Sequence, residues 1–374
     1  MPTTGDLHLN NGADGSEGYR SVFSHENEKS EAGFYQVFLE DYGIDVQLTV
    51  SERSGFHQYT FPQKEEAQVV LDLRHRDKVL TAQIEIVDSL TIQGHRYSSS
   101  WAPNQRLHYF MRFSAPIKKI TFTGSTEVGK LLMKDSSSTV KNISLELGGK
   151  SPNLILDDVD LEKAVSMGMK QCFFNTGQSC SSPTRMLIPE NMLEEATKHA
   201  VAAAENMTTG DPANEEIFLG PISNRVQFEK VQDLIQKGVD EGATLACGGL
   251  GRPDGLEKGF FVKPTVFSNV DNKMTIAQEE IFGPVICLIP YKDLEEAVEI
   301  ANDSPYGLSS MISCSDEAKG HEIAKRIRTG QVIVNRASRG EYPAPFGGFK
   351  MSGNGREHGL FGIDEYLEVQ AVIN

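Results

Sequence analysis

Two side chains in this sequence stand where chemistry could be done. Cys180 falls in Phe173-Phe-Asn-Thr-Gly-Gln-Ser-Cys180-Ser-Ser-Pro-Thr-Arg185, a lone thiol behind a glycine turn at the end of a helix-prone stretch. A thiol held there is placed as a nucleophile. Thirty-four positions earlier, Glu146-Leu-Gly-Gly149 puts a carboxylate at the end of the strand-like run from Val140 to Leu147, before two glycines that let the chain turn sharply. Such a carboxylate can reach a neighbouring site as a base. Taken singly, a buried structural cysteine and an unrelated exposed glutamate are the commoner readings. Taken together, a thiol and a base suit chemistry in which the thiolate adds to a carbonyl and a base-activated water hydrolyses the thioester that results. A carboxylate with its pKa raised by partial burial fits the last step.

These residues need elements to position them. Around Cys180, strand and helix segments alternate: Ser151 to Asp157 as a buried strand, a helix capped by Asp160, then Met186 to Pro189, Met192 to Met207, Val226 to Gly242, Leu245 to Cys247, Leu294 to Ala301 and Glu322 to Arg328. Such alternation predicts α/β layering. Upstream, Gly124-Ser-Thr-Glu-Val-Gly129 is not the G-x-G-x-x-G fingerprint. It reads as a strand, a turn and a serine-capped helix, whose N-terminal N–H groups and dipole could face a pyrophosphate.

The first third has another character. Residues 19 to about 118 alternate with period two at Ile44, Val46, Leu48, Val50 and at Leu107, Tyr109, Met111, Phe113, with turn signals at Tyr42-Gly43, Ser54-Gly55, Pro62-Gln63 and Gln93-Gly94. Short strands at this spacing predict an all-β sandwich fragment.

Five motifs in order carry a family resemblance. Ile120-Thr-Phe-Thr-Gly-Ser-Thr-Glu-Val-Gly129, Glu146-Leu-Gly-Gly149, the Cys180 run, Glu279-Glu-Ile-Phe-Gly-Pro-Val285 and Pro345-Phe-Gly-Gly-Phe-Lys-Met-Ser-Gly-Asn-Gly-Arg-Glu357 resemble the aldehyde dehydrogenase family. The resemblance implies an incomplete Rossmann-type cofactor domain (119–149), an α/β catalytic domain (150–362) and a terminal oligomerisation strand (363–374). It implies that Cys180 is the nucleophile, with its backbone N–H in the oxyanion hole, and Glu146 the base. It places Thr123, Gly124, Ser125 and Gly129 in the cofactor turn, the Leu147 carbonyl by the nicotinamide amide, and Glu280 and Phe282 at the nicotinamide ribose. NAD and NADP both remain open. For Phe282 alone, core packing is the commoner reading.

Phe23-Ser-His-Glu-Asn-Glu28, Gly55-Phe-His-Gln-Tyr-Thr-Phe-Pro62, Leu71-Asp-Leu-Arg-His-Arg-Asp77 and Ser100-Trp-Ala102 resemble the amino-terminal β-domain of family 92 glycoside hydrolases, calcium-dependent exo-α-mannosidases. No pair of positioned carboxylates accompanies them, so no glycosidase chemistry is assigned. His57, His75 and Asp77 read as solvated strand positions, and no metal is expected. The two resemblances abut near Ile117-Lys-Lys-Ile120 with no flexible linker, and one strand-like run, Met111 to Phe122, crosses the join. That abruptness points to a fusion of two incomplete genes or a faulty gene prediction; an uninterrupted transcript giving a stable product would dismiss the idea. The resemblance implies that the family's first sheet strands, its adenosine-gripping segment and an oxyanion-hole asparagine are missing. Loss of one such donor typically costs ~100- to 1,000-fold in turnover.

Composition bounds the rest. The net charge of −16 argues against nucleic acid or an anionic membrane as partner. Five cysteines without zinc or disulfide spacing favour a reducing, cytoplasmic compartment, and Cys172, Cys247 and Cys287 read as core. The polar Met1 to Arg20 segment reads as neither signal nor anchor, and residues 1–18 as a disordered tail. The expectation is therefore an NAD(P)-dependent aldehyde dehydrogenase, homo-oligomeric if folded, acting on a small aldehyde. An inactive fusion and a carbohydrate-binding β module are the alternatives.

Overall fold

The computed structural model describes residues 1–4, 12, 18–50, 55–63, 67–73, 78–99, 105–114, 119–137, 140–337 and 343–367. These form two compact units, one of Met1–Ile84 with Gln93–Phe110 and one of Glu85–Ile92 with Met111–Asn374.

In the first unit, strands Glu28–Glu31, Phe34–Leu39, Ile44–Val50 and Gly55–Thr60 make an antiparallel meander in chain order. Alternation drives Ile44 and Val46 into a small core with Val37, Leu39 and Tyr42, while Val50 is exposed. Gly43, at φ +62, supplies the left-handed residue that the turn into Ile44–Val50 requires.

Four local expectations are corrected. The amino-terminal tail is ordered at its start: Pro2–Thr3 pairs with Gln68–Val69, and the Met1 ammonium donates to the Val70 carbonyl. Backbone pairing, which composition does not reveal, does this. Gln93-Gly94 is not a turn but lies inside strand Thr91–Ser99. A Cβ on Gly94 would stand 1.9 Å from the Gln83 carbonyl oxygen, so the glycine allows close approach of backbone within a sheet. Met111 to Phe122 is not one strand, since Gln105–Arg112 and Lys119–Thr123 are separate elements in different sheets. The helix expected over Glu322 to Arg328 spans Glu317–Ala324, because Asp316 caps it by accepting from the Ala318 and Lys319 N–H groups. His57 is exposed and bonded to the Tyr59 hydroxyl, whereas His75, Asp77 and Trp101 lie outside the described residues.

The second unit holds the motifs. Lys119–Thr123 pairs in parallel with Asn142–Glu146, which pairs antiparallel with Gly353–Asn354. Helix Thr126–Ser136, capped by Ser125, packs Val128 and Leu132 on the apolar face made by Ile120, Phe122, Ile143, Leu145 and Leu147, where Ile86 and Ile92 also pack.

The large sheet runs Thr244–Cys247, Thr265–Ser268, Val285–Tyr291, Arg185–Pro189, Pro152–Ile155, Ser309–Ser313, Gln331–Val334, parallel throughout except at the first pair. Its central strands are buried on both faces, which explains their continuous apolar runs. On one face lie helices Leu161–Phe173 and Leu193–Glu205, on the other Leu294–Asn302 and Glu317–Ala324.

Candidate active site

Parallel pairing fixes the first part of the site. Thr123 stands opposite Glu146, and the Gly124 N–H donates to the Glu146 carbonyl at 3.0 Å, so the turn at Gly124 and the end of the glutamate strand are one piece. Ser125 Oγ accepts from the Val128 N–H, occupying one of the free donors of that helix end. A Cβ on Gly129 would lie 2.6 Å from the Leu147 methyls, so this glycine lets the helix sit against Leu147. The Leu147 N–H donates to the Ser352 carbonyl at 3.0 Å, tying the late glycine-rich motif to the same strand.

The two glycines after Leu147 carry the chain past two partners. Gly149 donates its N–H to Glu280 Oε1 at 2.9 Å, and a Cβ on it would be 2.2 Å from the Cys180 carbonyl oxygen. Only a hydrogen fits there. Gly148 likewise faces the Glu280 carboxylate. The Cys180 loop reaches this point through an unusual exit from its helix: after Phe173, Asn175, Thr176 and Gly177 all take positive φ. Non-glycine residues in that region are strained and need surrounding support. The support is visible, since Gln178 accepts from the Ser223 N–H and Asn175 donates to the Gln178 carbonyl, while Gly177 packs directly on the Gly283 carbonyl. Phe282, half-buried at φ +56, is held by Gln227, which donates to the carbonyls of Ile281 and Phe282.

The electrostatics follow from this crowding. Burial raises the Glu146 carboxyl from 4.5 to about 9, helped by Glu357 and opposed by Arg356. Both carboxyl oxygens are buried without a protein partner. Cys180 is pushed up to about 11 by burial, then by the Glu280 and Glu146 carboxylates, with backbone N–H groups of Ser181 and Cys180 pulling the other way. Those influences put Cys180, Glu146 and Glu280 in one neighbourhood. Burial also raises Glu280, against the Gly149 N–H, Lys230 and Lys150.

Four neighbours of this group had no role in the sequence reading. Glu357, two residues past the last glycine of its motif, is half-buried and raised by burial, and its Oε1 has no protein partner. Arg356 donates to the carbonyls of Gly348 and Gly355. Lys150 is 1% exposed with no acceptor for its amine, so burial lowers its pKa. Arg185, equally buried, donates to the Lys150, Ile300 and Ala301 carbonyls and to Asn272 Oδ1. Their only signal was a charged residue beside a motif or inside an apolar strand.

Residues 110–372 match the sequence profile of the aldehyde dehydrogenase family. The chain belongs to the aldehyde dehydrogenase family. Residues 1–149 match the glycosyl hydrolase family 92 N-terminal domain, so the two matches overlap over 110–149. A 3-succinoylsemialdehyde-pyridine dehydrogenase from a Pseudomonas species is 52% identical over 254 residues, which are 68% of this chain and 53% of that protein. Among solved structures, aldehyde dehydrogenase C from Pseudomonas syringae, complexed with NAD+ and octanal, is 50% identical with TM-score 0.66, covering 67% of this chain and 52% of that one. A Mycobacterium tuberculosis aldehyde dehydrogenase complexed with NAD+ is 45% identical with TM-score 0.65, covering 67% and 51%. The chain thus spans about half the length of the relatives it matches.

Proposed function

We propose that the second unit oxidises an aldehyde to a carboxylic acid with NAD or NADP, with Cys180 as nucleophile and Glu146 as base. The observation that carries this reading is the convergence of a thiol and a buried carboxyl without a protein partner at one turn, beside the strand-to-helix turn at Gly124. The residues fit the nicotinamide end of such a cofactor. The helix after Ser125 gives its Val128 N–H to the cap and offers the other N–H groups of its first turn to an anion, and Glu280, with one oxygen on the Gly149 N–H, has the other for a ribose hydroxyl. In this reading Thr123, Gly124 and Ser125 lie along the cofactor, Gly129 lets their helix close on Leu147, whose carbonyl meets the nicotinamide amide, and Phe282 lies by the nicotinamide ribose. The cofactor, when bound, accepts the hydride.

The chain's own residues do the rest. Cys180 gives its proton to solvent water and its thiolate adds through sulfur to the carbonyl carbon, the carbonyl π bond breaking to give a thiohemiacetal whose oxyanion is met by the Cys180 backbone N–H. After hydride leaves that carbon, Glu146 as carboxylate takes a proton from water, the oxygen attacks the thioester, and the C–S bond breaks to release the acid and Cys180. The family resemblance supplies the Cys180 backbone N–H as oxyanion donor and no counterpart of a second, so turnover is expected to be slow. The terminal strand expected over 363–374 is corrected at its start, where Ile363 and Asp364 end helix Gly359–Asp364 and the Tyr366 hydroxyl bonds Thr121 Oγ1, and residues 368–374 lie outside the described residues.

The test is mass spectrometry of Glu146→Gln given octanal and NAD. The expected result is an acyl group retained on the Cys180 peptide, because deacylation has lost its base. An unmodified Cys180 with acid still produced would refute the assignment of both residues.

A further inference from the structure

Behind the two glycines lies a buried charge that the proposed steps do not use. Arg185, five residues after Cys180 and first in strand Arg185–Pro189, is 1% exposed. Its backbone N–H and its Nε donate to consecutive carbonyls, those of Ser151 at 3.3 Å and Lys150 at 3.0 Å. Nη1 donates to Asn272 Oδ1 at 2.9 Å and to the Ile300 carbonyl at 2.8 Å, and Nη2 to the Ala301 carbonyl at 2.9 Å. Ile300 and Ala301 close helix Leu294–Asn302, so the guanidinium meets the negative end of a helix, with Asp303 near it. Burial lowers its pKa only to about 10, so it is charged at neutral pH.

Traced outward, these bonds close a ring. Lys150 follows Gly149, whose N–H holds Glu280 Oε1 and whose Cα lies against the Cys180 carbonyl. Two residues before Glu280, Gln278 donates from Nε2 to the Asn272 carbonyl at 2.6 Å and to the Asp303 carbonyl at 3.0 Å. Asn272 donates from Nδ2 to the Asp303 carbonyl at 2.8 Å and to Asp303 Oδ2 at 3.0 Å, and its Oδ1 returns the ring to Arg185. Arg185 thus touches both the Gly149-Lys150 segment and the arm that carries Glu280.

We infer that Arg185 is a positioning residue for the Cys180 chemistry, an inference that rests on the reading of Cys180 as nucleophile: through Lys150 and Asn272 it fixes where Gly149 and Glu280 stand against the thiol. It touches no reacting atom. A Cβ on Gly149 would be 2.2 Å from the Cys180 carbonyl oxygen, so the fit there has no slack and holds only while the adjoining Lys150 carbonyl is tied down. Glu280 takes its place from two sides, from the Gly149 N–H and, through Gln278, from Asn272. A guanidinium suits this task because its planar fork reaches several acceptors in fixed directions, which a lysine amine cannot do. With the fork gone, the carbonyls of Lys150, Ile300 and Ala301 lose their donor, and Gly149 and Glu280 are free to withdraw from Cys180.

The experiment follows alkylation of Cys180 by iodoacetamide in the full chain across alkaline pH, read by mass spectrometry of the Cys180 peptide. The groups that act on the thiol are the Glu280 and Glu146 carboxylates, which with burial hold its ionisation high, and the Ser181 and Cys180 backbone N–H groups, which oppose them. A withdrawn Glu280 therefore moves the alkylation profile to lower pH. Arg185→Met and Gln278→Ala cut the ring at different points, and each is expected to alkylate Cys180 at least fivefold faster than the parent chain at pH 8, with native-like circular dichroism. Arg326→Met, which breaks the exposed pair with Glu295 on the same helix, should leave the profile unchanged. If Arg185→Met fails to fold, the half-buried, uncharged Gln278→Ala decides the matter. A folded ring variant with the parent profile, even one that melts earlier, or an equal shift in Arg326→Met would overturn the inference. Alkylation needs neither cofactor nor turnover, so an absence of NADH formation counts against the reading of Cys180 and an unchanged profile against the ring.

Discussion

At the scale of single residues, the site is held in its protonated form. With Glu146 near 9 and Cys180 near 11, both raised chiefly by burial, each keeps its proton at neutral pH. Both must ionise for the proposed reaction, so turnover is expected to climb with pH from 7 to 10, as a pH–rate profile under saturating NAD will show. Glu357 is one cause of the Glu146 shift, and Glu357→Gln should move that profile to lower pH. The same shift acts on stability. A carboxyl whose folded pKa lies above its unfolded 4.5 keeps a proton that the unfolded chain has lost, so its contribution falls as pH rises from about 4.5 to about 9. Glu146→Gln removes that burden, and thermal melts at pH 8 should find it more stable by ~1 kcal/mol, on the order of 2–4 °C. The Cys180 and Glu146 motifs were legible because each pairs a reactive group with glycines. Glu357, Lys150 and Arg185 were not, since a lone charge in sequence reads as solvated surface, and only packing reveals that these are buried.

Elements explain why the motifs are glycine-rich. Gly129 brings the helix onto Leu147, and Gly149 brings the base strand onto the Cys180 carbonyl. Gly149→Ala must push that carbonyl away, so activity should fall by at least tenfold while circular dichroism stays native-like. Gly129→Val, which overpacks the core, should cost about 1–3 kcal/mol in denaturant unfolding. The turn segment Glu85–Ile92 belongs to this unit, with Ile86 buried against the cluster of Leu132, Leu145 and Leu147. Ile86→Asp puts a charge in that cluster, and raised dye binding to exposed apolar surface is the expected readout. The α/β alternation was readable from period and length, because parallel strands buried on both faces leave unbroken apolar runs. The displaced helix at Glu317–Ala324 and the strand at Gly94 were not, because Asp316 as a cap and Gly94 as a point of close contact resemble ordinary loop residues in isolation.

At the scale of the molecule, one chain joins a family 92-like β region to about half an aldehyde dehydrogenase, and the two sequence matches overlap over 110–149. Among the described residues no helix is long and apolar enough to cross a membrane. Among the described residues, the sheet of Lys119–Thr123, Asn142–Glu146 and Gly353–Asn354 has three strands, with Lys119–Thr123 at its edge. An edge strand offers unpaired backbone groups to other chains. The central claim is that these residues still make a working site. NADH formation by soluble chain with NAD and octanal tests it most directly, read at 340 nm beside Cys180→Ala. Slow turnover that vanishes in the variant is expected; no NADH from soluble chain, or equal rates in both, would contradict a working site at Cys180.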